Sequence, residues 1–217
     1  MTAAERRQEI LDQIAAAAKL ARRGPEDVLL IAVSKTRGAE QIEELIEAGQ
    51  RDFGESRVQE ALEKWPPILA SNPKLRLHCI GRLQSNKAAE AVRLFDVIHS
   101  LDRNSLLDAL VKEANKAERF PAVYVQVNIG DEEQKGGCPT AEVGELIAAV
   151  LSSPLPLVGL MAIPPLGVEP APYFSLLAKI AREHGLSGLS MGMSGDFKAA
   201  VMLGATAVRI GTALFED

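Results

Sequence analysis

Between Ala3 and Arg23 the apolar residues Ile10, Leu11, Ile14, Ala18 and Leu20 recur at roughly helical spacing, and Gly24-Pro25 then stops the pattern. This predicts a helix ahead of the first strand. Beyond it, short apolar runs at 28–34, 51–54, 76–80, 96–100, 122–129, 156–163, 187–190 and 206–210 read as strands. The stretches at about 39–48, 56–70, 85–94, 103–118, 140–152, 170–184 and 195–203 read as helices, and a final turn is expected at 212–216. Eight strand–helix units with short loops, and no Gly-, Ser- or Pro-rich linker long enough to divide domains, predict one (β/α)8 TIM barrel over residues 1–217. A doubly wound open sheet ranks lower, because no strand is followed by a G-x-G-x-x-G phosphate loop.

In a barrel, alternate strand residues point inward, so the parity of polar residues locates a site. In the fifth strand, Val123, Val125 and Val127 share one face while Tyr124, Gln126 and Asn128 share the other, a polar series running to the rim. Core packing alone does not ask for Gln126 and Asn128 there. In the last strand Ala207, Arg209 and Gly211 share a parity that turns Arg209 inward, where a guanidinium without an acceptor would cost several kcal/mol in rough terms.

Lys35 directly follows the apolar run Val28-Leu29-Leu30-Ile31-Ala32-Val33-Ser34. The carboxyl end of a barrel strand is where this architecture places chemistry. An ammonium buried there would lose hydration and become a better amine nucleophile toward an aldehyde, which makes Schiff-base chemistry the first expectation. A lysine that merely snorkels out of the loop is the alternative. Two glycine-containing turns, Met193-Ser194-Gly195-Asp196 and Arg209-Ile210-Gly211-Thr212, follow the last two strands, the usual phosphate site of the class. Small residues let the backbone approach an anion, and N–H groups at a helix start point at it. Amine, phosphate cradle and inward arginine together match the needs of pyridoxal 5'-phosphate (PLP).

Composition narrows the partners. A formal charge of -5 and a pI near 5.4 give no general footprint for nucleic acid, though they leave room for a local basic mouth. Cys79 and Cys138 lack metal-ligand spacing and read as free thiols of a reducing compartment. The charged N-terminal stretch and the lack of a long apolar window argue against a signal peptide or membrane span, so a cytoplasmic protein is expected.

The sequence resembles the PLP homeostasis protein family, also called the YggS/PROSC family, through Ala32-Val33-Ser34-Lys35-Thr36, Phe53-Gly54-Glu55, His78-Cys79-Ile80-Gly81 and Leu83-Gln84-Ser85-Asn86-Lys87. The likeness continues through Gly159-Leu160-Met161-Ala162-Ile163, Ser190-Met191-Gly192-Met193-Ser194 and Val208-Arg209-Ile210-Gly211-Thr212. It implies the alanine racemase barrel without that enzyme's second domain. It further implies PLP held as an aldimine on Lys35, its phosphate on Ser194, Gly195, Gly211 and Thr212, and its ring nitrogen facing Arg209, with His78 and Asn128 at strand ends lining the pocket. The sequence departs from the family pattern at Ser56, where asparagine is usual, at Arg82, where proline or histidine is frequent, and in ending early at Phe215-Glu216-Asp217, expected to loosen the cover over the phosphate loop.

A guanidinium keeps its proton, which leaves the ring a weak electron sink and disfavours deep carbanion chemistry. Two-base racemisation needs a group on each face, and neither Tyr124 nor Tyr173 stands at an expected strand end. The expectation is therefore a monomeric, non-catalytic PLP carrier or regulator of PLP and amino-acid metabolism, with PLP-dependent apo-enzymes as partners. A single-domain amino-acid racemase is the alternative, and a cofactor-free Schiff-base aldolase on a phosphorylated sugar a third reading. Lys87 and Lys135, expected near the mouth, are candidates for relaying the aldehyde.

Overall fold

The structure is a computed structural model that describes residues 1–215. Eight parallel strands close in sequence order into a barrel: β1 (Leu29–Val33), β2 (Asp52–Glu55), β3 (Arg76–Cys79), β4 (Val97–Leu101), β5 (Ala122–Gln126), β6 (Leu157–Met161), β7 (Gly188–Ser190) and β8 (Ala207–Ile210). Closure is made by β1 against β8, with Leu30 opposite Val208 and Ile31 opposite Arg209. The (β/α)8 fold expected from the alternation is the fold observed. Among the described residues the helices are α1 (Ala3–Leu20), α2 (Ala39–Glu47), α3 (Val58–Ser71), α4 (Ala88–Leu94), α5 (Asn104–Ala117), α6 (Val143–Leu151), α7 (Ala171–Glu183), α8 (Phe197–Met202) and α9 (Thr212–Phe215).

Where boundaries differ from expectation, local chemistry accounts for most of them. The first turns expected of α4 and α6 are 3-10 turns at Ser85–Lys87 and Thr140–Glu142, the latter introduced by Pro139, whose missing N–H suits a helix entry. The fifth strand stops at Gln126 rather than 129, because the loop folds back on it: Cys138 N–H donates to Gln126 O, and Asn128 N–H donates to Cys138 O. Pro66 and Pro67 sit inside α3 without ending it. Of the final turn expected at 212–216, Glu216 lies outside the described residues, as does Asp217.

The core is continuous between strands and helices, and its largest fully buried side chains include Trp65, Phe53, Phe95 and Phe174. Helix α1 starts with a capping box, in which Thr2 and Glu5 each satisfy the other's backbone N–H. Its apolar face of Ile10, Ile14, Ala17 and Ala18 is buried, and the helix packs on α8, α9 and α2. Arg6 Nε donates to Leu214 O at 2.9 Å. Thus the helix predicted ahead of the barrel braces the two elements that follow the glycine turns of strands 7 and 8.

Candidate functional site

The backbone at the end of β1 is fixed from beneath. Ser34 N–H donates to Gly54 O at 3.0 Å, and Ser34 Oγ donates to Glu55 Oε1 at 2.8 Å. Lys64 Nζ reaches Ser34 O at 2.8 Å and Glu55 Oε1 at 2.6 Å, while Trp65 Nε1 donates to the same carboxylate at 2.8 Å. Glu55 is fully buried, so this four-membered network supplies the hydrogen bonds its Oε1 needs in a water-free place. Thr36 then takes a left-handed φ of 63° and closes its hydroxyl onto Lys35 O at 2.6 Å. Lys35 projects from this rigid base. Its side chain is exposed, which corrects the expectation of a buried ammonium: the strand end beneath it is buried, but the side chain itself stands at the open mouth.

Six of the expected residues come together. Lys35, Ser194, Gly195, Arg209, Gly211 and Thr212 line one cavity of about 360 Å³, within the size range of small-molecule sites. The same cavity takes in Arg37, Ser56, Ile80, Ile163 and Met193. Its charged lining consists of Lys35, Arg37 and Arg209, with no carboxylate among the described residues, so an acidic chain carries a local site for anions.

Two close approaches shape the walls. Gly192 has φ +97°, and a Cβ there would meet Ala200 Cβ at 2.6 Å, so only glycine permits the turn that presents Met193, Ser194 and Gly195. Asp196 Oδ1 accepts from Met193 N–H at 2.6 Å and closes the same turn. A Cβ on Gly81 would meet Ser56 O at 2.0 Å, so its absence lets the segment after β2 lie at the mouth. Among the described residues, none of the N–H groups of Ser194, Gly195, Gly211 and Thr212 donates to a protein acceptor. Donors left without a protein acceptor on residues that line a cationic cavity are what an anion with several oxygens would satisfy.

Arg209 is 3 % exposed. Its NH1 donates to Ser190 Oγ at 2.5 Å and its NH2 to Ala162 O at 3.2 Å. Burial pulls the guanidinium down to about 10, against the opposing pull of Asp196 and Tyr124. It therefore remains cationic near neutrality, and among the described residues its hydrogen-bond acceptors are the neutral Ser190 Oγ and Ala162 O.

The structure separates the two other expected residues from this group. His78 is inside the barrel, its Nε2 3.0 Å from Asp52 Oδ1 and its Nδ1 3.0 Å from His99 Nε2. The inward parity of β3 carries the ring into the interior rather than to the mouth. Asn128 lies just beyond β5, where its side chain exchanges hydrogen bonds with the backbone of Glu132 at 3.0 and 3.2 Å. It lines a neighbouring cavity of about 310 Å³ that shares Ser56, Ile80 and Ile163 with the first. Lys135 also lines that cavity, with its amine on Glu132 Oε2 at 2.6 Å and Pro164 O at 3.1 Å. Lys87 lines an outer groove and pairs with Glu90 at 3.1 Å.

Several site residues escaped the sequence reading. Arg37 follows Lys35 by two positions in the same loop, and proximity alone could have found it. Ile80 and Ile163 give only an apolar strand-end signal. Glu55 lies in the block Phe53-Gly54-Glu55, but nothing in the sequence ties it to the adjacent pair Lys64 and Trp65.

Barrel and cavity place the chain in the class of alanine racemase N-terminal domains, a family it matches over residues 7–217. The solved alanine racemase of Streptomyces lavendulae, 21% identical, shares the fold with a TM-score of 0.70 over 94% of this chain and 56% of that one. Within that class, two relatives named pyridoxal phosphate homeostasis protein are closely similar. The Aquifex aeolicus protein is 41% identical, covering 100% of this chain and 99% of its own. That of Escherichia coli is 42% identical over 95% and 93%. PipY of Synechococcus elongatus, solved with PLP bound, is 41% identical with a TM-score of 0.82, over 93% of this chain and 99% of that one. The chain belongs to the pyridoxal phosphate homeostasis protein family.

Proposed function

We propose that this chain binds PLP in the Lys35 cavity and serves intracellular PLP homeostasis as a carrier without catalytic turnover, the whole barrel acting as one binding domain. The observation that carries the reading is that, among the described residues, four with backbone N–H groups lacking a protein acceptor, an exposed lysine and a buried arginine line one cavity. Bound PLP supplies an aldehyde that condenses reversibly with a primary amine. Lys35 offers that amine from a base fixed by Ser34, Glu55 and Lys64. Ser194, Gly195, Gly211 and Thr212 donate to the phosphate, and Arg37 lines the same cavity. Arg209 offers the ring nitrogen a hydrogen-bond donor and withholds a full proton, which keeps amino-acid chemistry slow.

The tyrosines support a non-catalytic role. Tyr124 is buried with its ring stacked on His99 at 4.5 Å, and Tyr173 lies on the outer helix α7, so neither phenol lines the Lys35 cavity. PLP-dependent apo-enzymes are the proposed recipients, and a monomer in the cytoplasm is the proposed state. Among the described residues no helix is long and apolar enough to cross a membrane.

The test is the absorption spectrum of the purified protein, followed by borohydride reduction and peptide mapping. A visible band bleached by borohydride, with the fixed adduct on Lys35, is expected. A colourless protein that stays colourless with added PLP, or an adduct on another lysine, would sink the reading. Loss of the α-proton from a panel of amino acids at enzymatic rates would replace carrier by racemase.

A further inference from the structure

A file of polar side chains crosses the inside of the barrel, far more than an apolar core needs. Asp52 begins β2, and its Oδ1 accepts from Arg76 Nε at 2.7 Å and lies 3.0 Å from His78 Nε2. His78 Nδ1 is 3.0 Å from His99 Nε2, His99 Nδ1 is 2.8 Å from Ser190 Oγ, and Ser190 Oγ is 2.5 Å from Arg209 NH1. Asp52, His78, His99, Ser190 and Arg209 are all buried, so each contact must be satisfied within the protein.

The two ends differ in kind, and that sets a direction. Arg209 has donors only, so Ser190 Oγ accepts from it and turns its single hydrogen to His99 Nδ1. His99 must then carry its hydrogen on Nε2 and donate to His78 Nδ1. His78 in turn carries its hydrogen on Nε2 and donates to Asp52, a carboxylate that only accepts. With both imidazoles neutral, this is the one proton arrangement in which every contact pairs a donor with an acceptor.

Building on the PLP reading above, we propose that Asp52 is a positioning residue for the Lys35 cavity: through the Nε2–H forms of His78 and His99 it turns the Ser190 hydroxyl so that its lone pair faces Arg209. The guanidinium is then held by Ser190 and Ala162, and its remaining N–H groups are left for the ring nitrogen of the ligand. Burial, with His78 and the Arg209 guanidinium beside it, pushes His99 well below the ordinary histidine range, in keeping with a neutral ring. Stacking of His99 on Tyr124 at 4.5 Å fixes its plane.

Two measurements test the proposal. The chain has three histidines, and a His184→Gln variant leaves only the interior pair, so long-range proton–nitrogen NMR can read both rings in the unliganded protein at pH 7. Both should be neutral with hydrogen on Nε2; an Nδ1–H form or an imidazolium at either ring would overturn the proposed order. The second measurement compares PLP with its deaza counterpart, in which CH replaces the ring nitrogen. Ser190→Ala and Asp52→Ala should each weaken PLP by about tenfold, the scale of one hydrogen bond, and leave the deaza compound unchanged. Equal losses for both compounds would mean that these residues act only through general packing, and would overturn the proposal. Should a variant fail to fold, the NMR result on the interior pair still decides. Failure of the PLP reading has a different signature, since a protein that binds no PLP can still show the ordered imidazoles.

Discussion

At Lys35 the amine and its anchorage are separable, because the amine reaches the mouth while Ser34 beneath it is tied to Gly54 and Glu55. Lys35→Ala should abolish the borohydride-fixed adduct and leave weaker, reversible binding through the phosphate cradle, measured by mass spectrometry and by titration. Ser194→Ala removes a hydroxyl but keeps the N–H, so PLP affinity should fall about tenfold, the worth of one hydrogen bond to a charged group, while pyridoxal lacking the phosphate should bind as before. Equal losses for both compounds would place Ser194 away from the phosphate. Lys35, Arg209 and the glycine turns were legible in sequence because each is a polar or small residue where a strand end asks for neither. His78 was misplaced because its neighbours in sequence say nothing of Asp52 or His99, which meet it only once β2 and β4 pair on either side of β3. Exposure of Lys35 was equally hidden, since an apolar run reports burial of the strand and not of the side chain after it.

Among the elements, the segment from β7 to α8 and the pair β1–α3 hold the site in opposite ways. The first depends on an absent side chain: Gly192→Ala would place a methyl 2.6 Å from Ala200 Cβ at φ +97°. A cost of about 1–3 kcal/mol is expected, together with weaker phosphate binding, and urea unfolding and PLP titration measure the two effects. The second depends on a buried charge pair. Lys64→Met leaves Glu55 without its cation, and losing one partner of such a pair should cost about 3–5 kcal/mol. Unchanged urea stability would show that the pair does not brace the strand end. Element type was readable from periodicity, which depends on neighbouring residues. The early end of β5 was not, because it depends on the loop returning so that Cys138 occupies Gln126 O.

For the molecule as a whole, buried titratable groups bound the pH range of stability from both sides. Burial alone would raise Asp52, but hydrogen bonds from His78 and Arg76 hold it below the ordinary range, and burial keeps His99 well below the ordinary histidine value. Both are depressed on folding, so the unfolded chain takes up protons first and stability falls with pH, from about pH 6.5 for His99 and from about pH 4 for Asp52. Burial pushes Cys79 and Cys138 up to about 12. The unfolded thiols ionise first, and stability falls above about pH 8.5. Calorimetric Tm between pH 4 and 10 should show a plateau between these limits, and a Tm that climbs from pH 6.5 to 5 would contradict the assignment of His99. Closure in strand order was legible from the repeated alternation, whereas the interior polar file was not, since its members come from five different strands.

Closure of β1 on β8 also has a consequence for the making of the protein. Lys35 follows the first strand, and the glycine turns that line the same cavity follow the seventh and eighth, so most of the chain is synthesised between the amine and the groups that complete its pocket. A nascent chain on the ribosome displays Lys35 with no cavity behind it, and acquires the cavity only after its last strand has emerged and docked beside its first. On the proposed reading, ligand would be captured by finished molecules in preference to partial ones, and each capture would help to hold β1 against β8.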